Sequence, residues 1–415
     1  MFHQPSKLPT KEKERKVKVA KAVKWNLAGL AILLVLAYFI APTWVHVLLF
    51  EGVALRAIHF VPWLIFAWFV WKFAVHPTLN DRAPRRRPVI ILSFTMVLLI
   101  IWNIIIATSS GYFTYGMYAK FSEREQMVVT SSDFIRYSSL PTAFNDMENS
   151  ITEATEQLSE EYAVPLVTEK GFGYITPITP DGVLQTYLKN NPGFVVYDDR
   201  HEVEGSPVKR VDQEFKVGPG MMWFDNLDRN LVLTDFFATY EKPHFVQLDP
   251  KKPNVFTAVV PKIKYSWFRF PYWGGVILVH ADGTIEDLSK EEALKDKRLK
   301  KQWITPMELY REYVNLQNYA TDWGIFSPFV RVSGKLEIPK LPGDNQFPFL
   351  TRGADGETYL VTATKAEGGG AGLFRMYYTN ASTGKGTYFE YPKGTVIYGP
   401  TAGLERVSNL PGYNW

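Results

Sequence analysis

The stretch Pro88-Val89-Ile90-Ile91-Leu92-Ser93-Phe94-Thr95-Met96-Val97-Leu98-Leu99-Ile100-Ile101-Trp102-Asn103-Ile104-Ile105-Ile106-Ala107-Thr108 contains no charged residue. A hydrocarbon core is crossed by about 20 helical residues, so this run predicts a transmembrane helix. Two more apolar segments precede it. One runs from Trp25 to Ile40 and stops at Ala41-Pro42. The other runs from about Val53 to Val75 around Pro62, where the missing donor and the ring's clash with the preceding turn predict a kink. No comparable run follows Tyr112.

Charge placement predicts the orientation of these three segments. Lys7, Lys11, Lys13, Arg15, Lys16, Lys18, Lys21 and Lys24 precede the first, and Arg82, Arg85, Arg86 and Arg87 lie between the second and third. The connection from about Pro42 to Gly52 has neither Lys nor Arg. Basic loops stay on the cytoplasmic side, which predicts a cytoplasmic N-terminus and an external C-terminal body. The basic leader and later spans argue against a cleaved signal peptide. Attraction to anionic lipid accounts for the leader without nucleic acid. His46, Glu51, Arg56, His59 and Lys72 sit at awkward depth and are read as interfacial or snorkelling residues. Arg56 and His59, three apart on one helical face, would instead mark a conduit if they faced a bundle interior.

The composition is that of a folded chain of 415 residues, 46% hydrophobic and 15% aromatic, with a net charge of +4 and no cysteine. Disulfides, thiol nucleophiles and Cys-ligated metals are thereby excluded. Beyond the third span, Phe144, Met147, Ile151, Ala154 and Leu158 recur at spacings of three and four, predicting one acidic amphipathic helix from Pro141 to Pro165. Short runs rich in Val, Ile, Tyr and Phe then alternate with turn residues, as in Gly193–Tyr197, Asn254–Val260 and Gly275–His280. Helices are expected from Ser289, which opens a capping box, to about Trp303, and from Pro306 to about Ala320. The predicted class is α+β: a three-helix transmembrane anchor, a long helix and a β-rich external body. The expected divisions are a leader (1–24), a membrane domain (25–111), a linker with the acidic helix (112–165), an α+β domain (166–337) and a β-rich subdomain (338–415).

A loose repeat runs through the body. Gly275 to Ile285 reads as strand, Asp282-Gly283 turn and strand; Leu373 to Tyr391 reads as the same around Thr383-Gly384, followed by a short helix near Ala402 to Val407. These strand, turn and strand units resemble the hairpins of PepSY-type modules over about 20 residues per copy, with Asn380 where the module's turn has Asp. The resemblance implies an envelope binding or regulatory module, not a catalytic one.

Local catalytic motifs are missing. The seven histidines form no H-E-x-x-H, Gly384-Lys385 lacks the P-loop frame, and no G-x-S-x-G elbow exists. A carboxylate pair for glycan hydrolysis could still meet in the fold, with Asp235, Glu241, Asp282 and Glu286 the first candidates. Asp198-Asp199 and Asp225 to Asp228 read as turn carboxylates. Binding residues are sought in two places. The run from Trp267 to Trp273 offers Trp267, Arg269, Tyr272 and Trp273 as interface anchors, if alternation exposes one face. The basic run Lys295, Lys297, Arg298, Lys300 and Lys301 offers Lys297, Arg298 and Lys300 for an anionic polymer or the acidic helix of another copy.

The functional expectation is a membrane-anchored, non-enzymatic binding or assembly subunit of a bacterial envelope complex, multi-pass in the plasma (inner) membrane. Its expected partners are the lipid bilayer and further copies or other envelope proteins, with no nucleic acid, no metal and no cofactor. The alternatives are an outward-facing hydrolase of glycan or cell-wall material and a transporter or channel subunit.

Overall fold

The computed structural model describes residues 24–26, 28–30, 32–33, 35–54, 57–70, 86–130, 134–168, 171–200, 206–249, 251–252, 255–266, 269–330, 334–341, 347–368, 372–392 and 397. Trp267, Arg56, most of the basic leader and the expected helix near Ala402 lie outside them. The chain divides into two compact units, Met1–Arg56 and Ala57–Trp415.

In the first unit an apolar helix, α1, covers Lys24–Ile40. The expected loop after it is helical instead. Pro42 opens a short turn, Pro42–Val45, that passes into a π-helix, His46–Val53. That winding brings residues five apart together: His46 Nδ1 lies 3.6 Å from Glu51 Oε1, and the His46 side chain is buried.

The second unit begins with α2 (Ala57–Val70), which holds Pro62 within it, and continues with the 33-residue α3 (Arg86–Tyr118). Among the described residues, Ser93–Tyr118 is the one helix long and apolar enough to cross a membrane; α1 is shorter by that measure. Large apolar side chains stand exposed along α3, Phe94, Ile100 and Ile105 among them.

The body is α+β, with helices set on three sheets. A two-residue strand, β1 (Ser122–Glu123), follows α3. The predicted long helix is much shorter. Ser139 caps α4 (Leu140–Glu148) by accepting from the Thr142 amide at 3.3 Å, and the helix ends at Asn149. The Ser150 hydroxyl then donates to the Met147 carbonyl at 2.6 Å. Phe144, Met147, Ile151 and Leu158 do reach one core, with Tyr174, Ile178 and Val195. Leu158 does so from a strand, because a stripe of threes and fours records burial and not continuity of winding.

That strand is β2 (Glu156–Leu158), in a sheet with β3 (Val164–Val167), β4 (Phe172–Pro180), β5 (Asn191–Asp198) and β6 (Val208–Phe215). The helix α5 (Val183–Leu188) joins β4 to β5, and α6 (Leu227–Thr234) leads into the second sheet. That sheet comprises β7 (Thr239–Tyr240), β8 (His244–Val246), β9 (Thr257–Tyr265), β10 (Pro271–Val279) and β11 (Ile285–Ser289). Phe194 of the first sheet meets Phe245 of the second at 4.7 Å between ring centres.

The Ser289 capping box is present and opens α7 (Lys290–Lys295). The helix does not reach Trp303. Asp296 accepts from the Arg298 amide at 2.8 Å and starts a 3₁₀ turn, Lys297–Leu299, so the basic residues leave the helix. α8 (Met307–Asn315) follows as expected and tightens into 3₁₀ over Leu316–Ala320.

The third sheet holds β12 (Leu336–Glu337), β13 (Phe349–Arg352), β14 (Thr358–Ala366), β15 (Leu373–Asn380) and β16 (Gly386–Glu390), with β1 parallel to β16. Both predicted hairpins form: β10 pairs with β11 and β15 with β16, all antiparallel. Gly283 and Gly384 take φ of 86° and 71° at their turns. One core joins the second and third sheets and the end of α3, from Ala119 through Trp273, Leu278 and Tyr310 to Leu360.

Candidate functional site

Where the first two sheets and the third come together, they enclose a cleft of about 590 Å³. One wall is built by the β3–β4 turn, the end of β5 and Lys209 of β6. A second wall is the segment Lys297–Gln302, and Arg352 enters from the end of β13. Apolar side chains of Leu166, Val196, Leu248 and Phe256 lie beneath.

The lining is strongly cationic. Arg200, Lys209, Lys297, Arg298, Lys300, Lys301 and Arg352 face a single carboxylate, Asp198. Asp198 is engaged by Arg200, whose Nε lies 2.8 and 3.0 Å from its two oxygens. Arg298 is clamped by Glu286 and Asp296, each at 2.7 Å. The hydrogen bond from Arg298 leads in holding both those carboxyls below their usual range. Lys297, Lys300 and Lys301 form no ion pair among the described residues, and all three are exposed. Lys301 adopts φ of 67°, a conformation that costs a non-glycine residue about 1 kcal/mol. The Thr358 hydroxyl donates to its carbonyl at 3.0 Å and fixes that turn.

Arg352 is anchored differently. One terminal nitrogen donates to the Thr168 carbonyl at 3.0 Å, and the guanidinium stands 5.4 Å from the Phe134 ring centre. Its Nε is buried with no hydrogen-bond partner. The arrangement concentrates fixed positive charge in a recess, which is the chemistry of anion binding.

Each hydrolytic candidate is held by partners of its own. Burial acts to raise the Asp235 carboxyl, but Lys264 at 3.0 Å and Lys262 at 3.3 Å hold it lowered. Glu241 accepts from the Leu309 amide at 2.9 Å at the start of α8, and burial pushes its carboxyl up to about 7. Asp282 takes the Thr284 amide at 2.9 Å in an exposed turn. Glu286 is shared by Arg298 and His280, the latter at 2.7 Å. No group of three or more metal-ligating side chains occurs among the described residues.

The aromatic run is mostly structural. β9 ends at Tyr265 and β10 starts at Pro271; between them the Arg269 amide donates to the Ser266 carbonyl at 2.9 Å, and Arg269 takes φ of 67°. Strand alternation therefore does not apply at Arg269 and Phe270. Tyr272 stacks on Tyr118 of α3 at 5.4 Å, and Trp273 is 3% exposed, its indole donating to the Gly275 carbonyl. Trp273 is thus a core residue and not a surface anchor. Asp199 also differs from a solvated turn carboxylate: it is buried, and it accepts from the Tyr137 and Ser138 amides at 2.8 Å each.

Of the residues proposed from sequence, the cleft collects Lys297, Arg298 and Lys300. Sequence reasoning missed Arg200, Lys209 and Arg352 as site residues, for no local spacing links them. Comparison with protein-family models, with curated proteins and with solved structures finds no match to the chain.

Proposed function

We propose that the protein is a membrane-anchored binding subunit of a cell envelope, whose external body captures an anionic ligand in the basic cleft. The observation that carries this reading is the recess lined by seven cations and one carboxylate, with three of its lysines unpaired among the described residues. A phosphate- or carboxylate-bearing polymer is the ligand class such a surface suits, because spaced charges can engage several cations at once. The engagement of all four candidate acids by lysine, arginine or backbone amide partners weighs against the hydrolase alternative. The two glycine-turn hairpins fit a PepSY-like, non-catalytic role.

In this reading α3 crosses the bilayer, α1 and α2 complete a three-helix anchor in the plasma membrane, and the basic leader keeps the N-terminus cytoplasmic. Assembly with another copy through the acidic residues of 146–161 is part of the proposal. Glu156 is already bound by Arg210 at 2.5 Å within its own chain, so the contact would fall to the others. The deciding experiment is titration of the full chain, in nanodiscs of zwitterionic lipid, with polyphosphate and with neutral dextran. Saturable polyphosphate binding that weakens with salt is expected. Equal affinity for dextran would reject the reading.

A further inference from the structure

The body packs along the outer end of α3 through aromatic contacts. Tyr112 meets Tyr319 edge-on at 6.0 Å, and Phe113 lies 5.8 Å from Phe270. Beyond Tyr319 the chain makes a compact lobe that turns back to the same helix: Gly324, with φ of 46°, lies against the Tyr112 ring. The lobe is pinned from inside. Ser327 is fully buried and donates to the Asn318 carbonyl at 2.6 Å, and the Thr321 hydroxyl donates to Ser327 at 3.1 Å. Its outer side presents Trp323, 52% exposed, and Phe326, 62% exposed.

Two large rings held out by a fixed backbone can enter an apolar or interfacial layer, and position supplies one. Tyr112 lies four residues beyond the continuous apolar run, which gives way at Thr108 to Ser109-Ser110-Gly111, and four residues are about 6 Å along a helix. The interfacial layer is about 5–8 Å deep on each side of the hydrocarbon core, so the lobe stands at headgroup level. Trp favours that layer, and Phe serves beside it on the buried face of interfacial segments. Asp322, exposed beside Trp323, limits the depth, because its carboxylate must remain hydrated.

We infer that the lobe around Trp323 and Phe326 is a second membrane contact, seated in the outer interfacial layer of the same bilayer that α3 crosses. It rests on the reading of α3 as a span. The contact ties the body to the surface at a point beside the helix, so the body cannot swivel freely on its anchor.

The absence of cysteine makes the test direct. Trp323→Cys, Phe326→Cys, Thr284→Cys and Ile100→Cys are each labelled with an environment-sensitive fluorophore in the otherwise intact chain and reconstituted into phosphatidylcholine vesicles. Thr284 is the aqueous control: β10 carries the chain about 30 Å from Phe270 before that turn. Ile100 reports the span. Labels at 323 and 326 should be quenched at least about threefold more than the label at 284 by nitroxides near the top of the acyl chain, and shielded from iodide. Iodide quenching at both positions equal to that at 284, with Ile100 quenched by deep nitroxides, overturns the lobe contact alone. An unquenched Ile100 overturns the span and the contact with it.

Discussion

Charge reversal at Lys297 and Lys300 tests the cleft most directly. Both line it, neither has an ion-pair partner among the described residues, and their removal leaves no buried carboxylate exposed. A single exposed cation–anion contact contributes about 0.5–1 kcal/mol. Glu at the same position replaces that attraction with a repulsion of similar size, so K297E/K300E should cost roughly 2–4 kcal/mol of binding. At 1.4 kcal/mol per decade, the dissociation constant for polyphosphate rises at least about 30-fold and up to about 700-fold. The assay is fluorescence anisotropy of labelled polyphosphate against the full chain in zwitterionic nanodiscs at fixed salt. A control, K189E/K340E, changes net charge equally at exposed positions outside the cleft lining, and should cost less than about threefold, because a Debye length near 8 Å screens distant charge. Equal losses in the two double variants would refute the site, leaving only the net charge of the body as the cause.

Two predictions concern what holds the body together. Asp199→Ala removes the acceptor of the Tyr137 and Ser138 amides and should lower stability by about 3 kcal/mol, read as a lowered midpoint in urea; an unchanged midpoint would contradict its structural role. Glu241 has a folded-state pKa near 7, raised by burial against an ordinary 4.5, so the folded state holds the proton more tightly than the unfolded chain. Its contribution is complete below pH 4.5 and is lost as pH rises through 7, a fall of roughly 3 kcal/mol. Glu241→Gln should remove that descent between pH 5 and pH 8, and a variant whose denaturation keeps the same pH slope would assign it to another group.

The local devices of this fold are legible because each is complete within a few residues. The Asp282-Gly283 and Thr383-Gly384 turns name their hairpins through the positive φ that glycine permits, and Ser289 with Glu292 names a helix start. The stripe from Phe144 to Leu158 misleads because periodic burial can be met by a helix followed by a strand on one core. The basic run misleads in the opposite way: Asp296 ends the helix, so residues that looked like one solvated face become the wall of a recess. Trp273 shows that aromatic density alone does not distinguish a surface anchor from a core side chain.

The sequence by itself determined the segregation of the chain: a charge-free apolar run, basic residues before it, and a cysteine-free α+β body after it. Those properties are sums over neighbouring residues, and chain order preserves them. Only the tertiary structure decided that Arg200, Lys209, Lys300 and Arg352, spread over more than a hundred and fifty positions, share one cleft. Such convergence depends on how three sheets pack, which is set by the buried faces of distant strands and leaves no spacing in the sequence to read.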